Sequence, residues 1–229
     1  MHGFQPANRS RVSVKKYKLV PDTRKHGIPL MRWLGCVLLV AGLLGTAAGA
    51  EPEARTRVTK GTLEYGFLMG YWQGNNIFGN EPSANRSALY ILPQLGYVLT
   101  DEIGSGGLEG NVELLVEPMA AHYFQPFSAS AFGGSLVLKY NFLSFGRWMP
   151  FWDGGAGMLW TDLAPRIPEQ STQFNFILQT GPGVSYFVSE NLALTFGVRF
   201  HHISNAGIGE RNIGLNAWLF NVGMAFFTP

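Results

Sequence analysis

Residues 192–204 read Leu192-Ala193-Leu194-Thr195-Phe196-Gly197-Val198-Arg199-Phe200-His201-His202-Ile203-Ser204. Leu192, Leu194, Phe196, Val198 and Phe200 fall on one side of a period-two pattern; Ala193, Thr195, Gly197, Arg199 and His201 fall on the other. Side chains alternate across a strand, so this is one extended segment with a bulky apolar face and a face of small, polar and charged groups. Two architectures use such a strand. In a membrane barrel the bulky face meets lipid and the other lines the interior; in a soluble barrel or sandwich the bulky face is the core. Continued by twos, the apolar face next carries His202 and Ser204.

The pattern recurs in both directions. It runs through 62–72 (Leu63, Tyr65, Phe67, Met69, Tyr71), 87–99 (Leu89, Ile91, Pro93, Leu95, Tyr97), 108–117 (Leu108, Gly110, Val112, Leu114, Val116) and 132–142 (Phe132, Leu136, Leu138, Tyr140, Phe142). It is less clean over 150–160 (Trp152, Met158, Trp160) and 173–187 (Phe174, Phe176, Leu178), and returns over 213–227. Long connections (73–86, 118–131, 161–172, 205–212) alternate with tighter ones near Asp101–Gly107, Ser144–Trp148 and Ser189–Asn191. Two features decide against the soluble barrel. The polar faces carry Glu64, Glu109, Glu113, Glu117, Lys139 and Arg199, an internal charge network rather than a ligand cup. The last segment keeps Trp218, Phe220, Val222, Met224 and Phe226 in phase almost to the terminus, although Pro229 departs from the usual aromatic end. The predicted fold is all-β: an eight-stranded antiparallel transmembrane outer-membrane β-barrel. A porin is disfavoured, because eight strands leave an interior that side chains fill.

Ahead of the barrel, residues 1–50 hold eight of the seventeen Lys and Arg residues and one acid, Asp22. Residues 51–229 therefore carry nine basic and fourteen acidic groups, a net of about −5, and no basic patch to bind nucleic acid. Arg32, the apolar run Trp33–Leu44 and Ala48-Gly49-Ala50 form a cleavable signal peptide over about 31–50, with 1–30 an N-terminal extension or a misassigned start. The run is short for a membrane span of about 20 residues. Cys36, the single cysteine, lies inside that signal, so the mature barrel has neither disulfide nor thiol chemistry. No metal cluster, phosphate loop or dinucleotide motif is present, and no cofactor is expected.

The chemistry concentrates in the last hairpin. If it is symmetric about Gly209, His202 lies opposite Asn216, and directly opposed side chains start about 5 Å apart. From Leu192 to Ser204 is twelve steps of about 3.3 Å, tilted about 45°, or roughly 28 Å of rise. With the N-terminus periplasmic, His202 and Ser204 arrive near the outer-leaflet interface, where the ester bonds of lipopolysaccharide lie. A serine hydroxyl becomes a nucleophile when an imidazole takes its proton, and the imidazole needs a third group to fix its tautomer. Ser204, His202 and Asn216 supply these types; Asn205 and Gly207 are the oxyanion-hole candidates. The bland alternative is a polar rim among lipid headgroups. His201 points inward, towards the lumen charges, and His122 falls in the second long loop.

His202-Ile203-Ser204-Asn205-Ala206-Gly207, followed by Asn212 and Gly214 in the final hairpin of an exported eight-strand barrel, resembles the lipid A 3-O-deacylase (PagL) family. The strong match covers about 199–216, with strand architecture agreeing over 62–227. The resemblance implies a carboxylic-ester hydrolase of the outer membrane that removes a 3-hydroxyacyl chain from lipid A. It makes His202 the base, Ser204 the nucleophile, and Asn205 and Gly207 the oxyanion hole. Its partners are then lipopolysaccharide and outer-membrane lipids, with no nucleic acid; a homodimer is left open. One departure matters: the family's acidic third member corresponds to Asn216, which orients an imidazole but brings no charge, and another carboxylate such as Glu210 is the substitute. That departure supports the competing reading, a non-catalytic barrel of the same descent with a structural or adhesion role.

Overall fold

The computed structural model describes residues 53–77 and 85–228. The signal peptide expected over 31–50 and the extension before it lie outside the described residues. Eight strands follow one another: β1 (Leu63–Gly74), β2 (Ser87–Val98), β3 (Gly110–Gln125), β4 (Ala129–Phe142), β5 (Trp148–Thr161), β6 (Phe174–Phe187), β7 (Leu192–Ser204) and β8 (Leu215–Thr228). Each pairs antiparallel with the next and β8 pairs with β1, closing a barrel without edges. No helix among the described residues is long and apolar enough to cross a membrane; the crossing elements are strands.

The alternation sorts as the sequence predicts. Phe67, Leu136, Trp152 and Leu178 face outward with 50–59% of their surface exposed, and similar side chains ring the wall. So continuous an apolar surface is stable only against lipid. The interior is filled in layers. Val98, Leu143, Met149, Phe187 and Phe227 pack with Ala54 and Val58 at the end that carries the termini. There Arg55 bridges Glu102 and Glu109 outside the lumen. Above lies the charge layer. Lys139 joins Glu64 and Glu113, and Arg199 lies 2.8 Å from both Glu117 and Asp153. Gln179 adds a hydrogen bond to Glu117 at 2.9 Å. Towards the opposite rim Trp72, Tyr90, Tyr123, Leu163, Ile167 and Leu215 form an apolar cap.

Four expectations need correction. The connection predicted over 118–131 is residues 126–128 only, because β3 continues to Gln125. Pro118 cannot donate to a ladder and so reads as a strand end. In the barrel, however, the β2–β3 register aligns Pro118 with Pro93; the ladder lapses there and resumes in the same register. His122 consequently sits on β3, facing outward with Ser128 Oγ 3.5 Å away, and not in a loop. Glu109 precedes β3 and pairs with Arg55, so it is not part of the lumen network. His201 does point inward and is buried, but its Nδ1 accepts from the Trp72 indole at 3.2 Å and its ring meets Tyr90 edge-on; aromatic groups, not the lumen charges, hold it.

Candidate active site

Where β7 ends and β8 begins, His202 pairs with Asn216 across the ladder, the register a symmetric hairpin requires. Both side chains stand on the lipid-facing side, out of phase with the buried His201, Ile203 and Ala217. His202 Nδ1 and Asn216 Oδ1 are 2.5 Å apart. An amide oxygen only accepts, so the proton of the neutral imidazole resides on Nδ1 and Nε2 keeps its lone pair. That is the tautomer a general base needs. Asn216 is 1% exposed, and its carbonyl accepts from Asn75 N–H at 2.8 Å, which pins the start of β8.

Gly214 comes two residues before Asn216 at φ +87°, a conformation that suits glycine. A Cβ there would lie 2.8 Å from His202 Cε1, so the bare backbone is what lets the ring lie against the strand. Ser204 follows two residues after His202 on the same face, half-buried and opposite Phe176 of β6. Among the described residues its hydroxyl makes no side-chain hydrogen bond, to His202 or to any other group.

The segment after Ser204 is folded by Asn205. Gly207 N–H donates to Asn205 Oδ1 (3.0 Å), Asn205 Nδ2 donates to Arg211 O (2.8 Å), and Asn205 N–H donates to Asn212 Oδ1 (3.0 Å). Ala206 and Gly207 take positive φ, 52° and 81°, to complete the turn. Asn205 follows Ser204 in the chain and Gly207 closes the turn three residues on, with Gly207 N–H and Asn205 N–H both engaged inside the loop. Glu210 is exposed on the same loop, and the group on His202 Nδ1 is Asn216.

A second loop, 162–173, braces the first. Ile213 N–H donates to Glu169 O, Gln170 Nε2 donates to Ile203 O at 3.3 Å, and Arg211 N–H donates to Ser171 Oγ at 3.1 Å. Glu169 in turn forms a buried ion pair with Arg86. Sequence reasoning missed these braces, since nothing in the local pattern of 162–173 announces which strand ends it covers.

Below His202, towards the membrane interior, a groove of about 470 Å³ opens on the outer wall. Leu178, Thr180 and Phe200 line it together with His202, Asn216 and the backbone at Gly155 and Gln179. Phe200 is held edge-on to Trp218 with ring centroids 5.7 Å apart, which makes a firm flank. The arrangement offers an oriented base, a nearby hydroxyl and an apolar recess on the surface that meets lipid.

The structure is similar to the crystal structure of the outer membrane enzyme PagL, with 18% identity and a TM-score of 0.50, covering 70% of this chain and 97% of that one. It also matches the N-terminal β-barrel domain of OprF from Pseudomonas aeruginosa (15% identity, TM-score 0.46, 73–74% of this chain in both this and the next case, and 99% of that chain). Neisserial surface protein A is a further match at 15% identity and TM-score 0.47, with 99% of its chain covered. The likeness to the PagL structure, at 18% identity, is one of fold. Comparison with curated proteins gave no match. The family model for lipid A 3-O-deacylase (PagL) matches residues 56–225, nearly the whole described barrel. The chain therefore belongs to the lipid A 3-O-deacylase (PagL) family, and its barrel is an outer-membrane barrel.

Proposed function

We propose that the protein hydrolyses an ester-linked 3-hydroxyacyl chain of lipopolysaccharide at the lipid-facing wall, with Ser204 as nucleophile, His202 as general base and Asn216 as the group that orients the imidazole. The observation that carries this reading is the His202 Nδ1–Asn216 Oδ1 contact at 2.5 Å, on the membrane side of the barrel and at the mouth of an apolar groove. A polar pair on a lipid-facing wall is costly, and a cost of that kind points to a function.

In the first half-reaction His202 Nε2 takes the Ser204 proton as Oγ bonds to the ester carbonyl carbon. The tetrahedral oxyanion falls beside the turn 205–207. Gly207 N–H, bound to Asn205 Oδ1 in the free protein, would exchange that acceptor for the oxyanion; Asn205 shapes the turn that allows it. The imidazolium then returns its proton to the sugar oxygen as the C–O bond breaks, leaving an acyl-serine. Water then attacks the acyl carbonyl as the same imidazole takes its proton, and the imidazolium passes that proton to Ser204 Oγ as the acyl–Oγ bond breaks, releasing the 3-hydroxy acid. The groove below His202 is the natural seat for the acyl chain, and the sugar headgroup stays at the interface.

The third member gives the test. Asn216→Ala removes the acceptor on Nδ1, and kcat on purified lipopolysaccharide should fall about 100-fold with little change in KM, the range in which a positioned base operates. Asn216→Glu should keep kcat or raise it, since a carboxylate both accepts the Nδ1 proton and stabilises the imidazolium. Acidic groups near the interface are tolerated, so the barrel should remain folded. A silent alanine together with an inactivating glutamate would remove Asn216 from the site and direct attention to Glu210.

A further inference from the structure

The groove below His202 spans two rows of the outer wall. On the outer wall Ala156, Leu178, His202 and Asn216 stand in one row across β5 to β8, and Gly154, Thr180, Phe200 and Trp218 in the next. The rows are two residues apart, or about 7 Å along a strand. One row further from the rim, Trp152 is paired with Pro182. Its indole leans back towards the rim, and Nε1 donates to Thr180 Oγ1 at 3.0 Å. The Thr180 hydroxyl spends its own proton on Asp153 O at 2.7 Å, so a lone pair is presented to the indole in a fixed direction. Gly154, the register partner of Thr180, contributes no side chain beside this contact. A large aromatic ring on a lipid-facing wall is thereby tied to Thr180, which with Phe200 lines the groove one row further from the rim than His202.

We infer that the Trp152 indole, pinned to Thr180, is the end wall of the acyl groove and sets which acyl chain lengths lie straight below the ester. The inference rests on the Ser204–His202 reading for the site at the other end of the groove. A saturated chain gains nothing by leaving lipid for an apolar wall except van der Waals packing, so fit along the recess is what discriminates. A chain that ends at the indole fills the recess. A longer one must bend around the ring and loses contacts along its distal part. Dispersion contacts are individually small but add along the chain, so losing those of several methylenes is enough for an end wall to read length.

The test uses the full barrel in detergent with lipopolysaccharide carrying a mixture of short and long 3-hydroxyacyl esters, and reads the ratio of released acids by mass spectrometry. Trp152→Ala should raise the long-to-short ratio by about tenfold. Thr180→Val, which keeps the shape and removes the acceptor, should move the ratio the same way by less. Gly154→Leu fills the space beside the indole and should move it the other way. Trp152 is itself lipid-exposed, and heat-modifiable gel mobility reports whether each variant is folded. Unchanged ratios in folded Trp152→Ala and Thr180→Val would overturn the end wall while the hydrolase reading stands. A wild-type barrel that releases no acid of any length would remove both.

Discussion

Ser204→Ala and His202→Asn should each lower deacylation of purified lipopolysaccharide by about four orders of magnitude, because members of a nucleophile–base unit fail together rather than in proportion. Neither change should unfold the barrel. Both side chains stand on the outer wall, clear of the lumen ion pairs and of the two apolar layers that fill the interior. Asparagine at 202 keeps a polar group of comparable reach opposite Asn216 but has no atom that takes up a proton at neutral pH. The residual rate should be that of the turn and groove alone, and combining the two substitutions should cost little more than either. Near-wild-type turnover in both folded variants would exclude the serine-hydrolase mechanism.

Arg199→Met should cost about 3–5 kcal/mol of barrel stability, the range for removing one side of a buried ion pair. The guanidinium is 3% exposed and lies 2.8 Å from Glu117 and from Asp153, with Gln179 and Gln94 completing the shell around Glu117. Methionine matches the stem in volume but leaves two carboxylates in the lumen with no cation between them. Denaturant unfolding in detergent should show the loss as a lower midpoint. Adding Glu117→Gln and Asp153→Asn should restore most of it, since the stranded charges are then gone. An unchanged midpoint in the single variant would mean that the charge layer is hydrated or relaxed enough to do without its central arginine.

Much of this is legible in the sequence. The phase of β7 and β8 follows from runs such as Leu194, Phe196, Val198 and Trp218, Phe220, Val222. A hairpin centred on Gly209 suffices to set His202 against Asn216. What escaped depends on pairing between distant segments. Pro118 looks like a terminator until Pro93 is seen opposite it. Asp153, which completes the Arg199 triad, is hidden because Gly154, Gly155 and Gly157 blur the alternation of β5. Glu109 shares the parity of the lumen acids, yet it falls one residue before the strand, where Arg55 takes it. The contact of Gly214 with the His202 ring and the reach of Trp152 to Thr180 are properties of side chains meeting across strands, which one-dimensional periodicity does not encode.

Mass spectrometry of lipid A from outer membranes of cells with and without this protein puts the proposed function to its most direct test. The expected result is a new lipid A species, lighter by one ester-linked 3-hydroxyacyl chain, that appears with the wild-type barrel and disappears with Ser204→Ala. Identical lipid A profiles in the presence and absence of the folded wild-type barrel would contradict it.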